Sequence, residues 1–214
     1  MDSIRERTNA GWKGIVFCGA VFLGMGILFG LGSKYLDASF PFDQLPTFMQ
    51  SLNLSHITSL PAAWVFLGVV IGGFSGSPFR GAFYATAFCV GFMVGFYIYA
   101  GITGGPSPWS DGTDWIRFIG ASALLAVPGW LARGESVTSI AISSCILAVL
   151  FNQAFLYGAF YFGLRGILEL LIFLASLVVL KREKMIAMLI LALALAIAIH
   201  DLPLLEKLPF LKRS

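Results

Sequence analysis

The chain has 214 residues, 58% of them hydrophobic and only 12% charged, with a formal net charge of +3. The charged share is about half that of an ordinary soluble domain, and a soluble fold of this size cannot hide so much apolar surface. The composition therefore excludes a water-soluble globular protein and points to a chain whose solvent is a lipid bilayer; no nucleic-acid partner is expected.

In chain order, Met1 to Arg7 is polar, and Arg5, Arg7 and Lys13 precede the first apolar run. No small-residue cleavage site follows that run, so it reads as a retained helix rather than a signal peptide. Apolar stretches long enough to cross about 30 Å of hydrocarbon predict spans near 13–36, 60–75, 81–102, 115–132, 137–157, 165–180 and 185–201. Pro61, behind Thr58 and Ser59, marks a helix start. The second span ends in the breakers Gly73-Phe74-Ser75-Gly76-Ser77-Pro78. Gly104, Gly105, Pro106 and Pro108 end the third, Asp114 is placed to cap the fourth, and Pro128 with Gly129 is expected to kink or shorten it. The expected fold is all-α: one polytopic transmembrane bundle of six to seven spans, a single domain over 1–214. Between the first two spans, Leu45, Phe48, Met49 and Leu52 repeat with helical spacing, which predicts an interfacial amphipathic helix near 45–52.

Orientation follows from lysine and arginine in short loops. With seven spans and the N-terminus inside, Arg5, Arg7, Lys13, Arg80, Arg133, Lys181, Arg182 and Lys184 lie inside, while Lys34, Arg117, Arg165, Lys207, Lys212 and Arg213 lie outside. A final stretch that dipped in and returned would bring the last three inside, leaving six spans. Seven is preferred, because Met185 to Ile199 is unbroken and long enough with its flanks to cross. The expected location is a cytoplasmic membrane.

Three pairs of glycines four apart, Gly26 and Gly30, Gly68 and Gly72, and Gly91 and Gly95, predict close packing of the first three spans. Such pairs share one helix face and let backbones approach, which matters where lipid removes the hydrophobic drive between helices. The cysteines, Cys18, Cys89 and Cys145, are odd in number and scattered over three spans, so neither a disulfide framework nor a thiolate metal site is indicated.

Chemistry is sparser. Gly73-Phe74-Ser75-Gly76 matches the G-x-S-G nucleophile motif of rhomboid intramembrane proteases. A serine nucleophile needs a histidine base, and His200 would lie at the opposite end of the bundle; a tight turn explains the motif fully. His56 and His200, the only histidines, share no metal-ligand spacing. No catalytic residue, metal site or cofactor is expected. The polar residues with most to say lie where the fifth and sixth spans meet. Asn152 and Gln153 interrupt an apolar run, Tyr157 and Tyr161 follow, and Arg165 and Glu169 are four apart, a spacing that pairs them on one helical face. Ionisable residues inside a span usually face the bundle interior or a wet cavity. Arg165, Glu169, Asn152 and Gln153, joined by Arg117, are thus the candidate wall of a solute site; snorkelling and an aromatic belt are the structural alternative.

The first span with Gly30 and Gly32, the Trp64-to-Arg80 segment ending Ser-Pro-Phe-Arg-Gly-Ala, and Gly166-Ile-Leu-Glu-Leu-Leu resemble a group of small bacterial polytopic membrane proteins of uncharacterised function. The resemblance implies a bacterial cytoplasmic membrane and no particular activity. In size the chain also resembles the six-helix substrate-binding components of energy-coupling-factor transporters, whose helix-contact motif Ala20 and Gly24 only approximate. The leading expectation is a small-solute binding or transport subunit, with a small-molecule ligand or partner subunit in the bilayer. A non-catalytic accessory, assembly or immunity protein is the alternative, and an intramembrane enzyme comes third.

Overall fold

The computed structural model describes residues 11–39, 60–103, 112–134, 136–158, 161–180 and 185–200. Seven helices cross this set: α1 Trp12–Ser39, α2 Pro61–Phe74, α3 Pro78–Thr103, α4 Gly112–Ala132, α5 Val137–Ala154, α6 Ile167–Val179 and α7 Met185–His200. Between α5 and α6 lies a two-stranded antiparallel hairpin, β1 Phe155–Gly158 and β2 Tyr161–Leu164. The amphipathic stretch near 45–52 falls outside the described residues.

Three helical stretches are long and apolar enough to cross a membrane: Trp12–Leu36, Pro78–Thr103 and Val137–Ala154. The others are apolar but short. α2, with 14 residues, is about 21 Å long, less than the roughly 30 Å of hydrocarbon.

Local chemistry explains most of the boundaries. α2 starts with proline in its first turn behind an extended Leu60, where a missing N–H costs nothing. It stops at Ser75, whose Oγ lies 2.7 Å from Gly72 O and 2.9 Å from Ser77 O, so the hydroxyl closes the turn on itself. Ser77 Oγ then accepts the Arg80 N–H at 3.2 Å and opens α3. Ser136 does the same for α5, accepting from the Ser139 N–H.

Some expectations change. The fourth span does not end at Pro128: α4 runs through it to Ala132, and it starts at Gly112, so Asp114 lies inside the first turn rather than capping it. Membrane helices tolerate such a proline because neighbours re-satisfy the freed backbone. The fifth span, expected to reach 157, ends at Ala154, where Phe155 turns extended and its N–H closes on Phe151 O.

Packing runs through close helix pairs. In α1, a β-carbon on Gly26 would meet the Phe88 carbonyl and lie 2.9 Å from the Phe92 nitrogen; one on Gly30 would meet the Phe92 carbonyl and lie 2.8 Å from the Phe96 nitrogen. Reciprocally, β-carbons on Gly91 and Gly95 of α3 would strike the carbonyls of Leu23 and Ile27. Each step of four along α1 matches a step of four along α3 in the same direction, so the two helices are parallel and joined glycine pair to glycine pair. α2 and α4 also approach closely: Gly68 lies against Leu125, Gly72 against Ala126 and Gly73 against the Arg133 side chain, while a β-carbon on Gly129 would be 2.7 Å from Val69 Cα. The first two spans are therefore not glycine partners; α1 pairs with α3, and α2 with α4.

Two cores result. One gathers Ile71, Tyr84, Ala85, Phe88, Cys89, Phe92 and Ala126 where α2, α3 and α4 meet, with Phe22 of α1 stacked on Tyr84 at 5.3 Å. The other joins Ala62 and Val69 of α2 to Leu147 and Leu150 of α5, Ile172 of α6, and Met188 and Ala192 of α7. α2 belongs to both and ties the halves together.

Candidate functional site

The polar residues of α5 form a column aimed at α7. Ser144 Oγ shares its proton between Ile140 O, 2.9 Å away on its own helix, and Met188 O, 3.0 Å away on α7. Two turns later Asn152 Nδ2 donates to Ala196 O at 3.1 Å. Both bonds span 44 positions, so α5 and α7 also run parallel and in register. Ala148, Ala192 and Ala196 are almost fully buried, and their small size lets a serine and an asparagine reach main-chain oxygens that already serve their own helix.

The hairpin closes the end of this column. Tyr157 Oη lies against Asn152 Oδ1 and 2.8 Å from Ala196 O, so asparagine and tyrosine converge on one carbonyl. An aromatic cluster seats the strands: Phe155 stacks on Phe162 with ring centroids 5.2 Å apart, and Phe151 and Phe173 meet edge to face at 5.8 Å. Such ring contacts add about 0.5–1.5 kcal/mol each beyond burial.

Arg165 and Glu169 do not share a helical face. Gly166 is the extended N-cap of α6, so Arg165 stands outside the helix and the spacing of four loses its meaning. Arg165 turns to the hairpin instead: its N–H donates to Ala154 O at 2.9 Å and its Nε to Phe155 O at 3.2 Å. Glu169 occupies the first turn of α6 and folds back over Gly166, where a β-carbon would collide with its carboxylate. A carboxylate there compensates the unpaired N–H groups at the start of the helix.

Among the other candidates, Gln153 is half-buried in the last turn of α5 and Arg117 lies on α4, its side chain outside the described residues. The structure thus brings Asn152 and Tyr157 together on the Ala196 carbonyl and ties Arg165 separately to the carbonyls of Ala154 and Phe155. Sequence reasoning missed the Ser144 contact and the hairpin. Serine every few residues along Ser139, Ser143 and Ser144 was the available signal for a helix meeting a close neighbour.

Ser75 is 4% exposed and bonded within its own turn. Among the described residues, no group of three or more histidine, cysteine, aspartate or glutamate side chains could hold a metal ion. No protein family matches the chain, and no curated protein or solved structure resembles it significantly.

Proposed function

We propose that this chain is a non-catalytic accessory subunit of a cytoplasmic membrane, crossing seven times with its N-terminus inside and working by contact with another membrane protein. The observation that carries this reading is the convergence of Asn152 and Tyr157 on the Ala196 carbonyl. The polar side chains best placed to bind a solute are occupied in fastening α5, α7 and the hairpin together.

Helix direction supports the seven crossings. α1 runs parallel to α3 and α5 to α7, as required when a chain alternates direction at every crossing. The short helices fit a bilayer with help from their neighbours. α6, about 20 Å long, follows a hairpin whose four-residue strands add about 13 Å when aligned with it.

The deciding experiment is purification in mild detergent, followed by mass spectrometry of both bound proteins and bound small molecules. A second membrane protein retained in fixed stoichiometry, with no retained solute, is the expected result. A stoichiometric small molecule that raises the melting temperature, and is lost in Glu169→Gln, would establish the solute-binding subunit instead.

A further inference from the structure

One end of the bundle holds the chain's surplus of positive charge. A β-carbon on Gly19 of α1 would meet the Phe83 ring of α3, one on Gly81 of α3 would lie 2.8 Å from Ser75 Oγ, and one on Gly73 would lie 2.9 Å from Arg133 Cδ. The start of α1, the α2–α3 turn and the end of α4 therefore sit at the same end. α5 begins there too, directly after α4, and so does α7, which runs parallel to α5. The stretches of chain belonging to this end, 1–13, 75–80, 133–136 and 181–184, carry eight of the 14 lysines and arginines and only four of the 11 carboxylates. The rest of the chain carries six against seven, so the whole surplus lies here. Even with every carboxylate of this end paired, four cations stay unanswered.

Arg133 is the cation of this end whose surroundings are best defined. Its stem passes Gly73, where a β-carbon would crowd it, and its guanidinium carbon lies 4.2 Å from the centre of the Phe74 ring. That contact covers one face of the guanidinium. The N–H groups along its edge meet no acceptor among the described residues. Beside it the surface is apolar: Phe74 is 63% exposed, and Phe79, just past the turn, 82%. A fork of donors next to bare aromatic rings suits a group that is anionic on one side and hydrocarbon on the other.

We propose that this end binds a phospholipid with an anionic headgroup, its phosphate on the Arg133 guanidinium and an acyl chain along Phe74. The planar fork of an arginine matches two phosphate oxygens, and such charge-assisted bonds are about twice as strong as neutral ones. The Phe74 ring holds the cation in place from behind. The surplus charge selects the lipid. A zwitterionic headgroup brings its own ammonium to an end already rich in cations, whereas a net-negative one is drawn by all of them. A soluble anion would answer the charge but leave Phe74 and Phe79 uncovered. The site requires only that the chain lies in a bilayer, so it stands whether or not the accessory reading does. A lipid held here is also untouched by Glu169→Gln at the opposite end.

The test is native mass spectrometry of the delipidated protein in a neutral detergent, titrated with phosphatidylglycerol or with phosphatidylcholine. Phosphatidylglycerol is expected to bind saturably, about tenfold tighter than phosphatidylcholine. Arg133→Gln is expected to weaken it roughly tenfold. Lys13→Gln, which removes an exposed cation from the same end, is expected to weaken it less than about twofold. Equal losses in the two variants would mean diffuse attraction and overturn the site, as would equal affinity for the two lipids. Phe74→Leu keeps its exposed position apolar and removes the ring, and is expected to weaken binding roughly threefold. It decides the matter should Arg133→Gln fail to fold, since unchanged affinity in Phe74→Leu would overturn the contact. Inorganic phosphate at the same concentration is expected to displace none of the lipid; displacement would assign the site to a free anion instead.

Discussion

Asn152 and Ala196 lie 44 positions apart and are joined by a 3.1 Å hydrogen bond from side-chain amide to main-chain carbonyl. Ser144 and Met188 repeat the relationship two turns earlier, so the parallel seam between α5 and α7 has a fixed register. Asn152→Leu removes a buried donor and also takes from the Tyr157 hydroxyl its acceptor on Asn152. It is expected to destabilise the protein by about 1–2 kcal/mol, at the upper end of interhelical bonds measured in bilayers. Ser144→Ala is expected to cost about 0.6 kcal/mol, since Ser144 gives up only a shared proton. Thermal unfolding in detergent separates the two, and equal effects would remove the special role of Asn152.

The glycines of α1 allow a contrast within one helix. Gly26 and Gly30 face the α3 backbone, while Gly24 and Gly32 have nothing within 4 Å of a β-carbon. Gly30→Ala is expected to cost about 1–3 kcal/mol, because the obstacle is main chain and cannot rotate away. Gly24→Ala and Gly32→Ala should be neutral or slightly stabilising, since alanine is the better helix former. A melting curve for Gly30→Ala that matches Gly24→Ala would contradict the close approach of α1 and α3.

What could be read from the sequence was local. Glycines four apart state that a helix has a face made for another backbone, but they do not name which helix arrives, and α1 meets α3 rather than α2. Helix positions followed from apolar length and from breakers such as Ser75 to Pro78. The hairpin was hidden because Phe155 to Leu164 is as apolar as a span, and its strands are too short for alternation to show. Arg165 and Glu169 were misjudged for a related reason: the spacing of four pairs side chains only if the helix already exists at Arg165, and Gly166 starts it one residue later. Asn152 was visible as a polar interruption, yet its task depends on a carbonyl on α7, which no local pattern contains.

Ser75→Ala is expected to leave any function intact and to cost about 1 kcal/mol of stability, the net value of one buried turn hydrogen bond. A chain carrying the substitution that folds normally but loses its cellular phenotype would restore Ser75 as a nucleophile.

Topology is open to chemical labelling. In a cysteine-free chain, Phe79→Cys marks the first turn of α3, beside the α2–α3 turn, where Phe79 is 82% exposed, and Asp43→Cys marks the connection between α1 and α2. With the N-terminus inside, a membrane-impermeant maleimide applied to intact cells should label position 43 and spare position 79 until the membrane is opened. The reverse pattern would invert the protein.

Arg165 and Glu169 are expected to act separately. Arg165 holds the hairpin through the Phe155 carbonyl, so Arg165→Gln should loosen the strands and cost about 1 kcal/mol or more, in line with a charge-assisted bond. Glu169 answers the exposed N–H groups in the first turn of α6, so Glu169→Gln should cost less, about 0.3–1 kcal/mol, and more at low salt than at high. Because Arg165 is bonded to Phe155 O while Glu169 lies over Gly166, the double variant should sum the single effects to within about 0.5 kcal/mol. A double-mutant cycle in detergent measures this directly. A coupling well above that value would mean that the two side chains form a true ion pair and that the spacing of four operates after all. Additive stabilities together with complete loss of function in Glu169→Gln alone would instead place a ligand at the start of α6.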